Sequence, residues 1–182
     1  DLYPPMPDPK HKGKKLVPRK QEEFDADGFE GAQRELIVPA GFLTPVAYLW
    51  TRTVTCKKHD CGATIPLVRQ TWLCKKKDRY IAVKMIAHRK QKRVAFEVVA
   101  AHSEEKIGFD PTGFSKGGNA ICPFCKTVAD SDYVKSEARA GRLGHQLMAI
   151  VCDPISGNGK LYFNPKEEWE KAVLDPVVAR QA

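Results

Sequence analysis

Residues 56–61 read CKKHDC and residues 121–125 read ICPFC, and the fold turns on whether these two short pairs are halves of one site. Four thiolate or imidazole ligands complete a tetrahedral zinc shell, and a closely spaced pair delivers two sulfurs from a single tight turn. Cys122 and Cys125, with Pro123 between them, have that form, and Lys126 follows where such turns often carry Gly. Cys56 and Cys61 are spaced within the usual range for a second turn. Zinc at Cys56, Cys61, Cys122 and Cys125 is therefore the leading expectation. Buried free thiols, a redox dithiol at Cys122 and Cys125, and iron at the same four ligands are the alternatives. His59 could stand in for one cysteine, but it lies inside the first loop, where it is expected to face solvent. Cys74 and Cys152 lie in or at the ends of expected strands without close partners, as structural residues do. A closed four-cysteine site has no open coordination position, so its metal staples a fold and does not activate water.

The chain has 182 residues with 42% hydrophobic and 29% charged side chains, the composition of one globular domain with a loosely attached arm. Its six cysteines suit metal or free thiols in a reducing compartment. No apolar run reaches the roughly 18 residues of a membrane span, and the start, DLYPPMPDPK, lacks the blocks of a signal peptide. A cytoplasmic location is expected. The first residue is Asp1 and not Met, which reads as a fragment or a processed product.

The net charge is +8, and its distribution says more than its total. Residues 56–100 hold twelve Lys or Arg against three acids, while residues 1–55 balance and residues 101–182 carry ten against eleven. The excess gathers at Lys57 and Lys58, at Lys75, Lys76, Lys77 and Arg79, and at Arg89, Lys90, Lys92 and Arg93. Cations this dense favour phosphate, so nucleic acid is the expected partner, with Trp72, Tyr80 and Phe96 as candidate stacking faces. Charged hairpin tips are also commonly no more than solvated, and strand aromatics commonly face a core.

Around the cysteines, an α+β fold is expected: a zinc ribbon with a small antiparallel sheet, short flanking helices, and a C-terminal hairpin plus helix. Residues 1–35 read as an extended Pro/Lys-rich arm, five prolines falling in the first 20 positions, and residues 36–182 as the domain, with the ribbon over 56–125. Thr44 as N-cap with Pro45 at the first helical position suggests a short helix, followed by a strand over RTVTC. TIPLVRQTWL, RYIAVKMIA and KRVAFEVVA suggest three antiparallel strands, with CKKKD and HRKQ as their turns at opposite ends. Residues 102–120 read as a loop. SDYVKSEARAGR suggests a helix with a Ser or Asp cap that ends at Gly141. HQLMAIVC and KLYFN suggest a hairpin, and PKEEWEKAVLDPVVAR a final amphipathic helix.

Blocks from about residue 45 to 170, AYLWTRTVTCKKHDCGATIPLVRQTWLCKKK, ICPFC and EARAGRLGHQLMAIV, resemble the zinc-ribbon insert of a family of putative adenine-specific DNA methylases with an N-terminal domain of unknown function. The resemblance implies that Cys56, Cys61, Cys122 and Cys125 are the ribbon ligands and that Cys74 is outside the site. It further implies a parent enzyme with a Rossmann-like domain, which the ribbon interrupts. That enzyme would move a methyl group from S-adenosylmethionine to the N6 amine of adenine, in restriction-modification or phage defence. DNA and the catalytic methyltransferase domain of the same parent would then be the partners. The chain departs from an amino-methyltransferase in two respects. FDPTGF and CDPISG have one proline where the (Asp/Asn/Ser)-Pro-Pro-(Tyr/Phe) motif has two, and SKGGN does not follow a strand as a cofactor loop does. No catalytic residue is assigned here, and S-adenosylmethionine would bind only the parent. An autonomous nucleic-acid-binding module and a purely structural insert are the competing expectations. Arg142, in GRLGHQLMAIV, is a weak candidate contact beside two glycines that suit a helix end and a turn.

Overall fold

A computed structural model describes residues 6–7, 42–153 and 159–166. These residues are mostly antiparallel sheet with one α-helix, which bears out a small α+β-like fold. The chain divides into two compact units. One comprises residues 1–47, 151–161 and 172–182, and the other residues 48–150 and 162–171.

In the first unit, β1 (Met6–Pro7) pairs antiparallel with the start of β2 (Phe42–Thr55) through Met6↔Leu43 and Pro7↔Phe42. The remainder of the arm and the expected C-terminal helix lie outside the described residues.

The second unit holds the cysteine pairs and the basic strands. The end of β2 turns through the first pair into β3 (Thr64–Pro66), with Thr55↔Thr64 and Val54↔Ile65 in register. The second pair closes a similar hairpin between β8 (Asn119–Ile121) and β9 (Val128–Ala129), in a three-stranded sheet with β7 (Ser115–Lys116). Between the two in sequence stands a separate sheet of β4 (Trp72–Lys76), β5 (Arg79–His88) and β6 (Arg93–Ala101). Its β5–β6 register is unbroken from Tyr80↔Ala101 to His88↔Arg93. Most of β10 (Gly144–Asp153) and the end of β11 (Leu161–Phe163) also belong to this unit.

Helix α1 (Ser131–Arg139) begins at Asp130, whose Oδ1 accepts from the Tyr133 N–H at 2.9 Å. It ends in a Schellman arrangement. Gly141, at φ 69°, donates to Ala138 O, and the Arg142 N–H reaches Glu137 O at 2.9 Å. A residue without Cβ is favoured at that left-handed position.

Two apolar clusters hold the unit. Val54, Ala63, Ile65, Ala120 and Ala129 pack with Cys56 and Cys122, and Tyr133 and Val134 of α1 cover them. Val68, Val83, Val94, Phe96, Met148 and Ala149 form the other. Phe124 packs against both.

Several expectations are corrected. Thr44 and Pro45 do not open a helix. They lie in β2, because the following VAYLWTRTVT is dense in β-branched and aromatic residues that outweigh a two-residue cap signal. TIPLVRQTWL is not one strand. The chain leaves β3, exposes Arg69 and Gln70, and enters β4 in another sheet, tied at the crossing by Thr71 N–H to Pro111 O (2.8 Å) and Val83 N–H to Thr71 O (2.9 Å). Residues 102–120 are not a plain loop, since a 3-10 turn (Glu105–Ile107) and most of the β7–β8 hairpin fall within them. CKKKD also contributes more strand than turn, because only Lys77 and Asp78 lie outside β4 and β5.

Gly144 opens β10 where an added Cβ would stand 2.6 Å from Oγ1 of buried Thr53. Gly144→Ala is expected to destabilise the chain by about 1–3 kcal/mol through overpacking. Chemical denaturation measures this, and an unchanged unfolding midpoint would count against the close approach.

Candidate metal centre

Both cysteine turns are built by backbone hydrogen bonds. In the first, Cys56 N–H donates to Ala63 O (2.8 Å) and Cys61 N–H to Lys58 O (2.9 Å), with Gly62 following at φ 58°. In the second, Cys122 N–H donates to Thr127 O (2.9 Å) and Lys126 N–H to Cys122 O (3.0 Å). Lys126 sits at φ 63°, the left-handed geometry that its position after the second cysteine suggests.

The turns face one another. Cys56 Sγ lies 3.6 Å from Cys125 Sγ, and Cys61 Sγ 3.8 Å from Cys122 Sγ, while all four sulfurs fall within 4.8 Å of one another. Zinc–sulfur bonds of about 2.3 Å in a tetrahedron separate the sulfurs by ~3.8 Å, so the cluster has the span a metal needs. The same distances are far beyond a disulfide bond of about 2.05 Å, and all six cysteines are free. Four thiols could thus hold a metal ion, and the donor set suits zinc. Cys74 lies in β4 and Cys152 in β10, outside the cluster, while His59 is fully exposed.

The four thiols are electrostatically unequal. Burial pushes Cys56 up to about 12 and raises Cys122 as well. Cys125 is held down to about 6, first by the Thr127 hydroxyl, 3.3 Å from its sulfur, and then by the Thr127 backbone. A metal bound here would displace the protons of the raised thiols, so its occupancy would depend on pH. Burial, as the main cause, pushes Cys152 up to about 12, as befits an inert core thiol.

A second set of interactions ties α1 to the first turn. The Asp130 carboxylate that caps the helix also takes an ion pair from Lys57, which holds its pKa down to about 2. Tyr133 Oη donates to Thr55 O at 3.0 Å.

The basic residues separate into two groups. β5 spans ten residues, about 30 Å at strand rise, with one group at each end. At one end, Lys76 and Lys77 are exposed, Lys75 pairs with Glu104 at 2.7 Å and lies 5.2 Å from the Trp72 ring centre, and half-buried Arg79 stands over Tyr162. At the other end, the β5–β6 turn docks on the first cysteine hairpin through Thr64 N–H to Lys92 O (2.9 Å), which brings Arg89 and Lys92 to Lys58. Lys90 is exposed on the same turn and Arg93 half-buried at its base. Arg142 is committed elsewhere, to a two-pronged pair with Glu137 at 2.6 and 2.9 Å. Phe96 is buried and offers no stacking face, while Trp72 and Tyr80 meet edge to face at 6.2 Å.

Thr127 and Asp130 escape a reading by residue type. A hydroxyl two residues beyond CPFC, and an acid just before a helix, are the signals that point to them. Among the described residues no helix is long and apolar enough to cross a membrane. No family model, curated protein or solved structure matches the chain.

Two outcomes are expected here. Cys122→Ser should lower metal affinity by orders of magnitude and unfold the cysteine hairpins, whereas Cys74→Ser should bind metal normally. Elemental analysis with thermal melting, before and after chelation, reads both, and equal metal content in the two variants would exclude the four-sulfur site. Thr127→Val removes the hydroxyl that keeps the Cys125 thiol low, so protons should compete with metal more effectively. The midpoint of acid-induced metal release should then move to higher pH, as a chromogenic chelator would report.

Proposed function

We propose that the chain is a zinc-ribbon accessory domain that grips DNA for a larger S-adenosylmethionine-dependent N6-adenine methyltransferase. The observation that carries this reading is the pair of cysteine hairpins whose four sulfurs converge at metal-site distances, beside a segment with nine more cations than acids. Zinc would be structural, holding the hairpins together. Lys76, Lys77, Arg89 and Lys90 are exposed at the two ends of one sheet, and a phosphate backbone is the natural counter-surface for such spacing. The methyltransferase context rests on the sequence resemblance alone, and the chemistry of methyl transfer would reside outside this chain.

Docking on the catalytic domain of the parent is a second reading, and one observation favours it. Ile121 and Val128 face each other across β8–β9 beside the second cysteine turn and are 49% and 44% exposed. An apolar cross-strand pair is more typical of a contact surface than of a solvated edge.

Fluorescence anisotropy with short duplex DNA across a salt series tests DNA gripping. The logarithm of affinity should fall linearly with the logarithm of salt. Changing Lys76, Lys77, Arg89 and Lys90 to Gln should flatten the slope by about 0.9 for each phosphate that is no longer neutralised. Binding weaker than about 10⁻⁴ M, or without salt dependence, would leave the docking reading in its place.

A further inference from the structure

An open hollow of about 240 Å³ lies between the first cysteine turn and the β5–β6 turn, lined by Lys58, Asp60, Cys61, Arg89, Lys92, Phe124 and Cys125. We propose that it is a subsite for one nucleotide of an unpaired strand, with the phosphate held by Lys58, Arg89 and Lys92 and the base laid on Phe124. The proposal rests on the nucleic-acid reading above and narrows it to a site and a strand form.

Size and shape favour part of a polymer. The volume is below the roughly 300–1,000 Å³ of clefts that enclose whole small molecules, and the hollow is open enough for a chain to enter and leave. Three cations reach it from two separate turns, held in mutual position by the Thr64–Lys92 backbone hydrogen bond. None of the three has an ion-pair partner among the described residues, unlike Lys57 and Lys75, which are paired with Asp130 and Glu104. The single acid in the lining, Asp60, is 89% exposed and meets only His59, at 3.9 Å.

A filled four-thiolate zinc site would carry two negative charges, and the nearby cations would offset them. Lys90 and Lys126, both exposed, adjoin Arg89 and Cys125 in sequence, so the neighbourhood stays positive after that offset. Phe124 supplies what a simple charge balance does not require. Its ring is fixed by packing on both apolar clusters and still lines the hollow. A fixed aromatic beside a cationic groove is the arrangement on which unpaired bases stack, largely without regard to sequence. A duplex keeps its bases stacked inside, so it can offer this site phosphate but not a base face.

The test uses the full zinc-loaded chain and three fluorescent probes: short oligothymidylate, an abasic strand of equal length, and duplex DNA. One variant combines Lys58→Gln, Arg89→Gln and Lys92→Asn, Asn being chosen because Lys92 sits at φ 49°. A second is Phe124→Leu, and a third, at the far end of the sheet, is Lys76→Gln with Lys77→Gln. Zinc content and melting temperature are read for each. Wild type should prefer oligothymidylate to the abasic strand. The triple variant should bind oligothymidylate at least tenfold more weakly with its zinc retained, and Phe124→Leu should erase the preference for bases. The subsite is overturned, and general nucleic-acid binding survives, if the triple variant binds strands like wild type while the far-end variant is impaired. It is also overturned if the triple variant loses zinc but keeps its strand affinity, since the cations would then serve the thiolates alone. Wild type that binds none of the probes would overturn both readings.

Discussion

Four sulfurs within a few ångströms of one another impose the condition that the rest of the second unit meets. To bring Cys56 near Cys125 and Cys61 near Cys122, two hairpins must present their turns to a common centre. Each turn is locked by its own backbone hydrogen bonds before any metal is considered. The small alanines around them, Ala63, Ala120 and Ala129, are almost fully buried and let the strands approach closely. Two of the cysteines belong to that core themselves. The cysteine cluster and the apolar packing are therefore one construction here, and an ion held by the four sulfurs would stabilise both at once.

The positive charge is organised by the same construction. Lys57 is drawn inward by the helix cap, Lys75 is held between Glu104 and Trp72, and Arg142 is engaged by Glu137. Exposed pairs of this kind contribute little stability on their own. Their effect is to fix where charge does not project. Within residues 56–100, most of what remains outward lies at the two ends of the β4–β5–β6 sheet, one next to the cysteine turns and one remote from them.

The cysteine pairs were legible in the sequence because ligand spacing is a local signal, and β5, β6 and α1 were legible because each has a long or well-capped pattern. Thr44 and Pro45 misled for the opposite reason, since a cap motif of two residues competes poorly with a following stretch in which seven of ten residues are β-branched or aromatic. TIPLVRQTWL misled because β-branched composition does not reveal where a chain changes sheets, which depends on distant carbonyls such as Pro111 O. Residues 115–121 hide two short strands that pair across the left-handed Gly117–Gly118 turn, each too short to show an alternating pattern. For the basic segment, composition revealed the excess of cations and the strand pattern its two ends, but not that the β5–β6 turn docks on the first cysteine hairpin through Thr64 and Lys92. That contact carries Arg89 and Lys92 to the cysteine end, and the unbroken β5–β6 register leaves Lys76 and Lys77 at the other.

The ligand pairs are separated by 61 residues from Cys61 to Cys122 and by 69 from Cys56 to Cys125. Closing loops of that length has an entropic cost that grows only with the logarithm of length, but the search still slows assembly when the partners are so distant in sequence. The β5–β6 hairpin changes the problem. It is local, it can form within microseconds, and once formed it folds more than a third of the intervening chain back on itself. Its turn then meets the first cysteine hairpin through Thr64 and Lys92. The β4–β5–β6 sheet thus shortens the path between two half-sites that lie far apart in sequence and whose sulfurs could share one ion.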